Sequence, residues 1–509
     1  MKRNLIVVYL CCCFTTLNIA QELKPCGTQS FRSEWLKSYQ LNPSAYTTRS
    51  SEMLYAPVTI HLVGTNDGKG IIGESKLFKA IQKVNQDFES SDIQFFIKGE
   101  INRISNSDWI SHDDVEVGAE MMFANNIENS INCYFVVDPA GNCGYNLPYA
   151  GIALALNCVN PNDDTWAHEI GHNLSLPHPF LGWEGGIFHN GGDHDYDDPA
   201  PEYVTYDYTV FQDVQYSAED TLIIDTAWVE KVDGSNCQFA ADGFCDTHPD
   251  YLVGGESCDP TTQRSRRVQT DPNGEKFTSD ASLIMAYFGD DCGQRFTDEQ
   301  TAAMRANLID QKPNHLLNND PPPAIEGEGP LLVSPLNEEI VPVNQVRLEW
   351  EAVENAQYYL VEISRGSTVS GANFDTITSE LYYEIDELRE GRNYYWKITP
   401  FTTHQFDASP SEIRNFEVGE VVSTNKIEVK KPFNLLNTLV LQGQDIVLEN
   451  KHLSNSAQIN LFSLNGQLFK QVNLSSDRLR IRSVDLHKGV YILQVEESGQ
   501  VWNEKISIF

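Results

Sequence analysis

Two histidines four residues apart, a glutamate directly after the first and a third histidine six residues past the second restrict the folds open to this chain more than any other feature. The stretch reads Thr165-Trp166-Ala167-His168-Glu169-Ile170-Gly171-His172-Asn173-Leu174-Ser175-Leu176-Pro177-His178. On an α-helix, residues i and i+4 share a face, so the spacing predicts a helix that carries His168 and His172 side by side. Asp163 and Asp164 stand where the N-cap of that helix belongs. Pro177 cannot continue the helix, so the chain turns there and can bring His178 back to the same point. Three imidazoles around one ion at about 2.0–2.1 Å, with a fourth position open, form the catalytic kind of zinc site and not the closed structural kind. Glu169 adjoins such an ion without being needed as a ligand. It is placed to take a proton from a water molecule and return it to a leaving group.

The chain has 509 residues, more than one core usually organises, so two to four domains are expected. Residues 1–20 read as a signal peptide: Lys2 and Arg3, an apolar run from Leu5 to Phe14, and Ala20 as the small residue before Gln21. The run is too short to span a bilayer, and no later stretch is long and apolar enough, so no membrane span is expected in the mature protein. Export removes Lys2 and Arg3 from 36 basic residues, leaving 34 against 72 acidic ones, a net charge of −38. Such a balance argues against nucleic acid and anionic membranes as partners. Eight cysteines remain after residue 20, all before residue 293, and an even count in an exported chain points to disulfides confined to the first domain.

A possible pro-segment occupies 21–50, and a first module runs over 51–318. It opens on the alternating Val58, Ile60, Leu62. A helix follows with Leu77, Ile81, Val84 and Phe88 in phase, then strands at Ile93–Ile97, Ile131–Val137 and Ala150–Leu156. This order suggests a mixed sheet flanked by helices. A Pro/Gly linker at 319–330 separates it from short alternating strands over 331–418, with Trp350 as a core residue and Leu388, Gly391 and Tyr394 at the spacing of a tyrosine corner. A second linker covers 419–434. The last stretch, 435–509, is again all strand, with Asn465-Gly466 marking a tight hairpin.

Several resemblances follow from these residues. The three histidines fall at the spacing of metzincin peptidases, and Ser282-Leu283-Ile284-Met285-Ala286-Tyr287 looks like their Met-turn. Asp242-Gly243-Phe244-Cys245-Asp246-Thr247 and Arg295-Phe296-Thr297-Asp298-Glu299-Gln300 follow the order of the pappalysin family within them. Residues 331–418 resemble a fibronectin type III domain, and 435–509 the C-terminal sorting domain of type IX secretion. The resemblance implies a multidomain fold, an α+β metzincin-like (zincin) catalytic domain followed by two all-β sandwiches. It implies zinc on His168, His172 and His178, Glu169 as general base and acid, and Met285 as an apolar floor. Tyr287 would steady the transition state, and Asp290 would line a pocket that takes Arg or Lys.

The expected activity is a secreted zinc-dependent endopeptidase acting on proteins or peptides, handled by the type IX machinery and released or held at the cell surface. The substrate would pair with an edge strand, for which Gly151–Leu156 is the candidate. The rival reading is a surface binding or adhesion protein with a non-catalytic zinc module. Three details stay open. Ser175 stands where the family has Gly, at a cost of about 1–2 kcal/mol if the backbone there is left-handed. Asp193, Asp195, Asp197 and Asp198, with His189 and His194 nearby, suit calcium or make a solvated acidic loop. Cys26 is either a thiolate switch on the zinc or half of a disulfide, the latter favoured by parity because the switch would leave seven cysteines.

Overall fold

The computed structural model describes residues 23–47, 52–148, 150–184, 194–210, 221–254, 257–288, 292–343, 346–386, 388–419, 432–454, 457–463, 466–474, 476–497 and 500–509. The signal peptide, Asp290, His189, Asp193 and most of the second linker lie outside them. Two compact units are present, Met1–Glu420 and Val421–Phe509.

The first unit is built on a sheet whose order is Ile93–Ile97, Leu54–Gly64, Ile131–Val136, Gly151–Ala155, Gly144–Leu147, with Asn102–Ser105 beside the far end of Leu54–Gly64. All pairs are parallel except the last, in which Gly144–Leu147 runs antiparallel to Gly151–Ala155. Leu54–Gly64 is buried along almost its whole length, as a strand covered on both faces must be. Helix α1 (Glu34–Leu41) lies in the N-terminal segment. Helices α2 (Glu74–Asp87), α4 (Thr165–Asn173) and α5 (Asp298–Asp310) share one core with one face of the sheet, and α3 (Val115–Asn125) belongs to a second core with the other. A capping box of Thr297 and Gln300 starts α5. Glu299 at its first turn accepts from Cys245 N at 2.7 Å, and Glu299 N donates to Asp246 at 2.8 Å, which ties the Asp242–Thr247 loop to this helix.

Gly151–Ala155 is not an edge. It is paired on both sides, and the free edge is Gly144–Leu147. The apolar run of Gly151–Ala155 reads clearly as a strand because it is buried on both faces. Gly144-Tyr145-Asn146-Leu147 is too short and mixed to show a period, which is why the sequence points to the wrong strand of the pair.

The sandwich at 331–418 packs three strands (Leu332–Ser334, Val346–Trp350, Tyr382–Ile385) against five (Glu339–Val341, Arg414–Val418, Arg392–Phe401, Tyr358–Ser364, Phe374–Thr378). Trp350 and Trp396 are buried between them, and the Tyr394 hydroxyl accepts from Arg389 N at 2.9 Å, closing the tyrosine corner. The sandwich is not a tethered bead. Phe401 and Phe406 join the main core and meet Phe78 of α2 edge-on, with ring centroids 4.4 and 5.4 Å away. Gly73, the N-cap of α2, offers no side chain, and Asp375 of the sandwich accepts from Ser75 N at 2.7 Å in its place. Residues 319–330, read from sequence as a linker, lie along this junction. Asn319 donates to Tyr55 O at 2.8 Å, and Ile325 N donates to Gln405 at 2.8 Å. Proline-rich backbone has carbonyls and amides without internal partners, and here neighbouring side-chain amides take them.

The second unit is also a sandwich, with Phe433–Leu435, Asp445–Asn450 and Arg478–Arg482 in one sheet. Leu439–Val440, Gln500–Ile508, Gly489–Glu497, Gln458–Ser463 and Leu468–Asn473 form the other. Gly466 has φ +83°, and Ser463 N donates to Gln467 O at 2.9 Å, the geometry of the expected hairpin.

Candidate metal centre

Helix α4 starts on Asp164 by its backbone, but the carboxylate that takes the Thr165 amide, at 2.9 Å, belongs to Asp163. His168 and His172 then fall one turn apart. The chain leaves the helix through Leu174 and Ser175 and returns His178, and all three rings are buried. Their outer nitrogens are committed. Nδ1 of His168 lies 2.7 Å from Ile284 O, that of His172 2.8 Å from Leu176 O, and that of His178 3.0 Å from a Glu184 carboxylate oxygen. A ring nitrogen facing a carbonyl is the protonated one, so His168 and His172 turn an Nε2 lone pair inward, and the Glu184 carboxylate fixes His178 likewise. The three Nε2 atoms are 3.0, 3.0 and 3.2 Å apart.

Three lone pairs at that separation repel one another unless a cation lies among them. Tetrahedral zinc with bonds of about 2.0–2.1 Å would space its nitrogens by about 3.3 Å, so the donor set fits that ion. Burial keeps the imidazoles neutral: His178 is lowered to about 3 by burial alone, His168 to about 3 by burial and the His178 ring, and His172 is lowered well below the usual histidine value by burial, His178 and His168. Glu184 supplies the carboxylate behind a ligand that metal sites use to hold a ring in place. It escapes sequence reading because it follows His178 in no periodic relation.

Glu169 is fully buried, and burial pushes its carboxyl up to about 7, near the value at which a group both takes and gives a proton. Its side chain passes against the sheet edge at Gly144, where a Cβ would come within 2.9 Å of Glu169 Cγ. Met285 is buried under α4, its sulfur against Gly171, where any side chain would overlap it. Arg295 holds the turn before Met285 through Ser282 at 2.9 Å and Asp280 at 2.7 Å. The Tyr287 ring centroid is 4.8 Å from that of His178.

The fourth side of the histidine cluster belongs to the N-terminal segment. Cys26 Sγ lies 3.7 Å from His172 Nε2, and the ligand atoms of Cys26, His168, His172 and His178 all lie within 4.8 Å of one another. Cys26 is not in a disulfide. The bonds are Cys143–Cys158, Cys237–Cys245 and Cys258–Cys292. The parity rule misleads because a second thiol, Cys133, is also unpaired and sits in the core at 3.3 Å from the Trp166 indole nitrogen.

The segment around Cys26 lies along the free sheet edge. Lys24 bridges to Asn142 in parallel, Cys143 N donates to Lys24 O at 2.7 Å, and Gly27 N donates to Gly144 O at 2.8 Å. Thr28 Oγ1 donates to Glu169 at 2.7 Å and accepts from Asn146 N at 2.8 Å, and Ser30 Oγ accepts from His178 N at 2.9 Å. Thr28 and Ser30 carry no motif and are visible only in the fold.

Ser175 has φ +73°, so the left-handed backbone is present. Its hydroxyl accepts from Asn307 at 2.9 Å, which offsets part of the strain. Ser175→Gly releases about 1–2 kcal/mol of strain and gives up about 0.5–1.5 kcal/mol of hydrogen bonding, so chemical denaturation should place it within about 1 kcal/mol of the parent. Ser175→Ala keeps the strain and loses the bond, and should fall below both.

Further carboxyls are buried in the same unit, Asp250 interacting with Glu184 and Glu230 with Asp242. Burial pushes Asp250 up to about 7, Asp242 to about 7 and Glu230 to about 10. The unfolded carboxyls ionise near 4, so the fold binds protons the unfolded chain has lost, and stability falls as pH rises from about 4, through about 7 for Asp250 and Asp242 and on to about 10 for Glu230. Asp250→Asn should flatten that slope, read as thermal midpoints of metal-free protein between pH 5 and 8. An unchanged slope would contradict it. In the acidic loop, Asp195 caps the Asp197 amide at 3.1 Å and Asp197 faces Lys276 at 3.8 Å. Among the described residues the cluster of Cys26 with the three histidines is the one group that could hold a metal ion, and the calcium reading of Asp195, Asp197 and Asp198 finds no cage there.

Residues 444–509 match the family described as "Secretion system C-terminal sorting domain". The chain therefore carries a sorting domain that addresses it to the cell surface or the extracellular space. No described helix is long and apolar enough to cross a membrane. No curated protein matches the chain. Among solved structures, a point mutant of promirolysin from Tannerella forsythia is similar at 16% identity, over 58% of this chain and 98% of that one, with a TM-score of 0.37. The fibronectin(III)-like modules of CbhA from Clostridium thermocellum match at 11% identity over 35% and 93%, TM-score 0.15. PorZ of Porphyromonas gingivalis, described as a surface component of the type-IX secretion system, matches at 11% over 22% and 15%, TM-score 0.15.

Proposed function

We propose that this chain is a secreted zinc endopeptidase of the pappalysin type, made as a latent precursor. The observation that carries the reading is the convergence of three Nε2 lone pairs at 3.0–3.2 Å, each ring held by a partner on its other nitrogen. Zinc held by His168, His172 and His178 would supply Lewis acidity at that point. Glu169 accepts a proton from the attacking water and returns it to the leaving amine, a use its buried carboxyl near 7 suits. The Tyr287 hydroxyl donates to the carbonyl oxygen as charge develops on it. Met285 and Gly171 keep α4 seated so that the two helix-borne imidazoles stay in register.

The substrate backbone takes the groups the N-terminal segment now uses: the Cys143 and Asn146 amides and the Gly141 and Gly144 carbonyls along the free edge. In the precursor, Cys26 would take the fourth ligand position of the ion, Thr28 donates to the base and Ser30 braces His178. Three independent parts of the machinery are thus held by five consecutive residues. Cleavage of casein that a chelator abolishes and added zinc restores, in a form freed of Cys26, tests the reading. Zinc bound by all three histidines with no hydrolysis of any peptide would overturn it.

A further inference from the structure

The long stretch between His178 and Cys237 contributes a two-stranded hairpin, Tyr203–Val210 with Thr221–Trp228. Directly opposed residues of an antiparallel pair point to the same face, so Tyr203 with Trp228 and Asp207 with Ile224 share one face. The other face is spent on the core through Val204, Tyr206 and Ala227. On the shared face Trp228 is 47%, Tyr203 48% and Ile224 62% exposed, and Phe239, 55% exposed, joins the group with its ring 6.1 Å from that of Trp228. The Tyr203 and Trp228 rings are 6.2 Å apart. Exposed aromatic clusters of this kind mark binding surfaces more than chance exposure does.

The face is continuous with the cleft. Asp207 lines the same cavity as Cys26, Thr28, Glu184 and Tyr287, and Tyr203 lies four residues further along the strand, about 13 Å away. Charge narrows the occupant. From residue 104 to residue 230 the chain has no Lys or Arg and 22 Asp and Glu, so the hairpin and the Asp207 and Glu184 side of the cleft come from a stretch without a basic residue, and Lys231 just beyond it is paired with Glu202 at 3.1 Å. The segment that fills the cleft in this structure places a lysine, Lys24, in the wall of the same cavity.

We infer that the Asp207–Trp228 face of the hairpin is a secondary docking surface for the substrate polypeptide, and that it takes an extended cationic stretch bearing aromatic or large apolar side chains. The inference rests on the peptidase reading for the identity of its occupant. Trp228 and Tyr203 receive apolar side chains, and Asp207 meets the basic one nearest the cleft. Long basic substrates are held at two places and short peptides at one.

The full-length Glu169→Ala protein, which binds without turnover, is titrated with a fluorescein-labelled 20-residue peptide of alternating Arg, Phe and Ser, and with the same peptide carrying Glu for Arg. Anisotropy should show the basic peptide bound and the acidic one not. The Tyr203→Ala/Trp228→Ala protein should lose at least tenfold in affinity. Asp207→Asn, the milder change that guards against a folding defect, should lose about threefold, with its thermal midpoint unchanged. In a form freed of Cys26, Tyr203→Ala/Trp228→Ala should raise KM for casein while leaving kcat/KM for a hexapeptide as it was. Equal binding of both labelled peptides, or no change in either variant, overturns the docking surface. Binding through Trp228 with no cleavage of any peptide keeps the surface and sinks the peptidase, so the two failures are told apart.

Discussion

Glu169→Ala, placed in a Cys26→Ala background so that latency does not mask it, is expected to lower cleavage of casein and of short peptides about 10²–10⁴-fold, the usual contribution of a general base. The fold should be unharmed. Glu169 is buried with a carboxyl raised to about 7, so it is not a charge the core needs. Its loss removes one hydrogen bond, from Thr28, which belongs to the N-terminal segment. Zinc content should stay near one per chain, because each ligand ring keeps its outer partner in Ile284, Leu176 or Glu184. Full zinc with no activity is therefore the expected result, and it separates catalysis from metal holding. Two other outcomes carry opposite meanings. Activity that survives the substitution would show that the water is deprotonated elsewhere. Silence of both the parent and the variant, with zinc in place, would favour an adhesion or binding protein built on the same scaffold.

Part of this was legible before any fold was known. The His168, Glu169, His172 and His178 spacing needs only the geometry of a helix and a turn at Pro177. The left-handed backbone at Ser175 follows from the Gly it replaces, and the hairpin at Gly466 from its turn residues. What stayed hidden has a common physical cause: it depends on residues brought together by the tertiary structure. Glu184, Thr28 and Ser30 are single polar residues whose partners lie in other segments. The edge strand Gly144–Leu147 lacks a period, whereas its buried neighbour Gly151–Ala155 advertises itself. The cap that Asp375 lends to α2 and the packing of Phe401 and Phe406 on Phe78 join segments about 300 residues apart, so the Pro-rich stretch between them looks like a free tether when read alone. Cysteine parity failed because Cys133 is used as an apolar core residue, a choice that pairing rules do not register.

The full-length protein with Cys26→Ala is expected to gain at least tenfold in casein cleavage over the full-length parent. Three kinds of contact that hold the segment, besides the Ser30 bond to His178 N, differ in strength. Backbone pairing along Gly141–Gly144 is worth about 0.5–1.5 kcal/mol per hydrogen bond and also resembles what any substrate would offer. The Thr28 hydroxyl on the Glu169 carboxyl is a hydrogen bond to a buried acid that titrates at about 7, worth about 0.5–3 kcal/mol from its neutral to its ionised form, or about 2–150-fold in the fraction of open precursor. The Cys26 sulfur facing His172 is the contact no ordinary substrate can reproduce, because on the proposed reading it would supply a fourth ligand and exclude the water on which Glu169 would act. The order of activities should therefore be parent, then Thr28→Val, then Cys26→Ala, with the double variant highest. A structural role for Cys26 predicts the reverse, a less stable chain and no gain, and thermal midpoints measured alongside tell the two apart. Thr28→Val also bears on the geometry directly: if it releases activity without Cys26 being touched, the base is occupied in the precursor as the 2.7 Å contact indicates, and latency here is held at two points of the catalytic machinery at once.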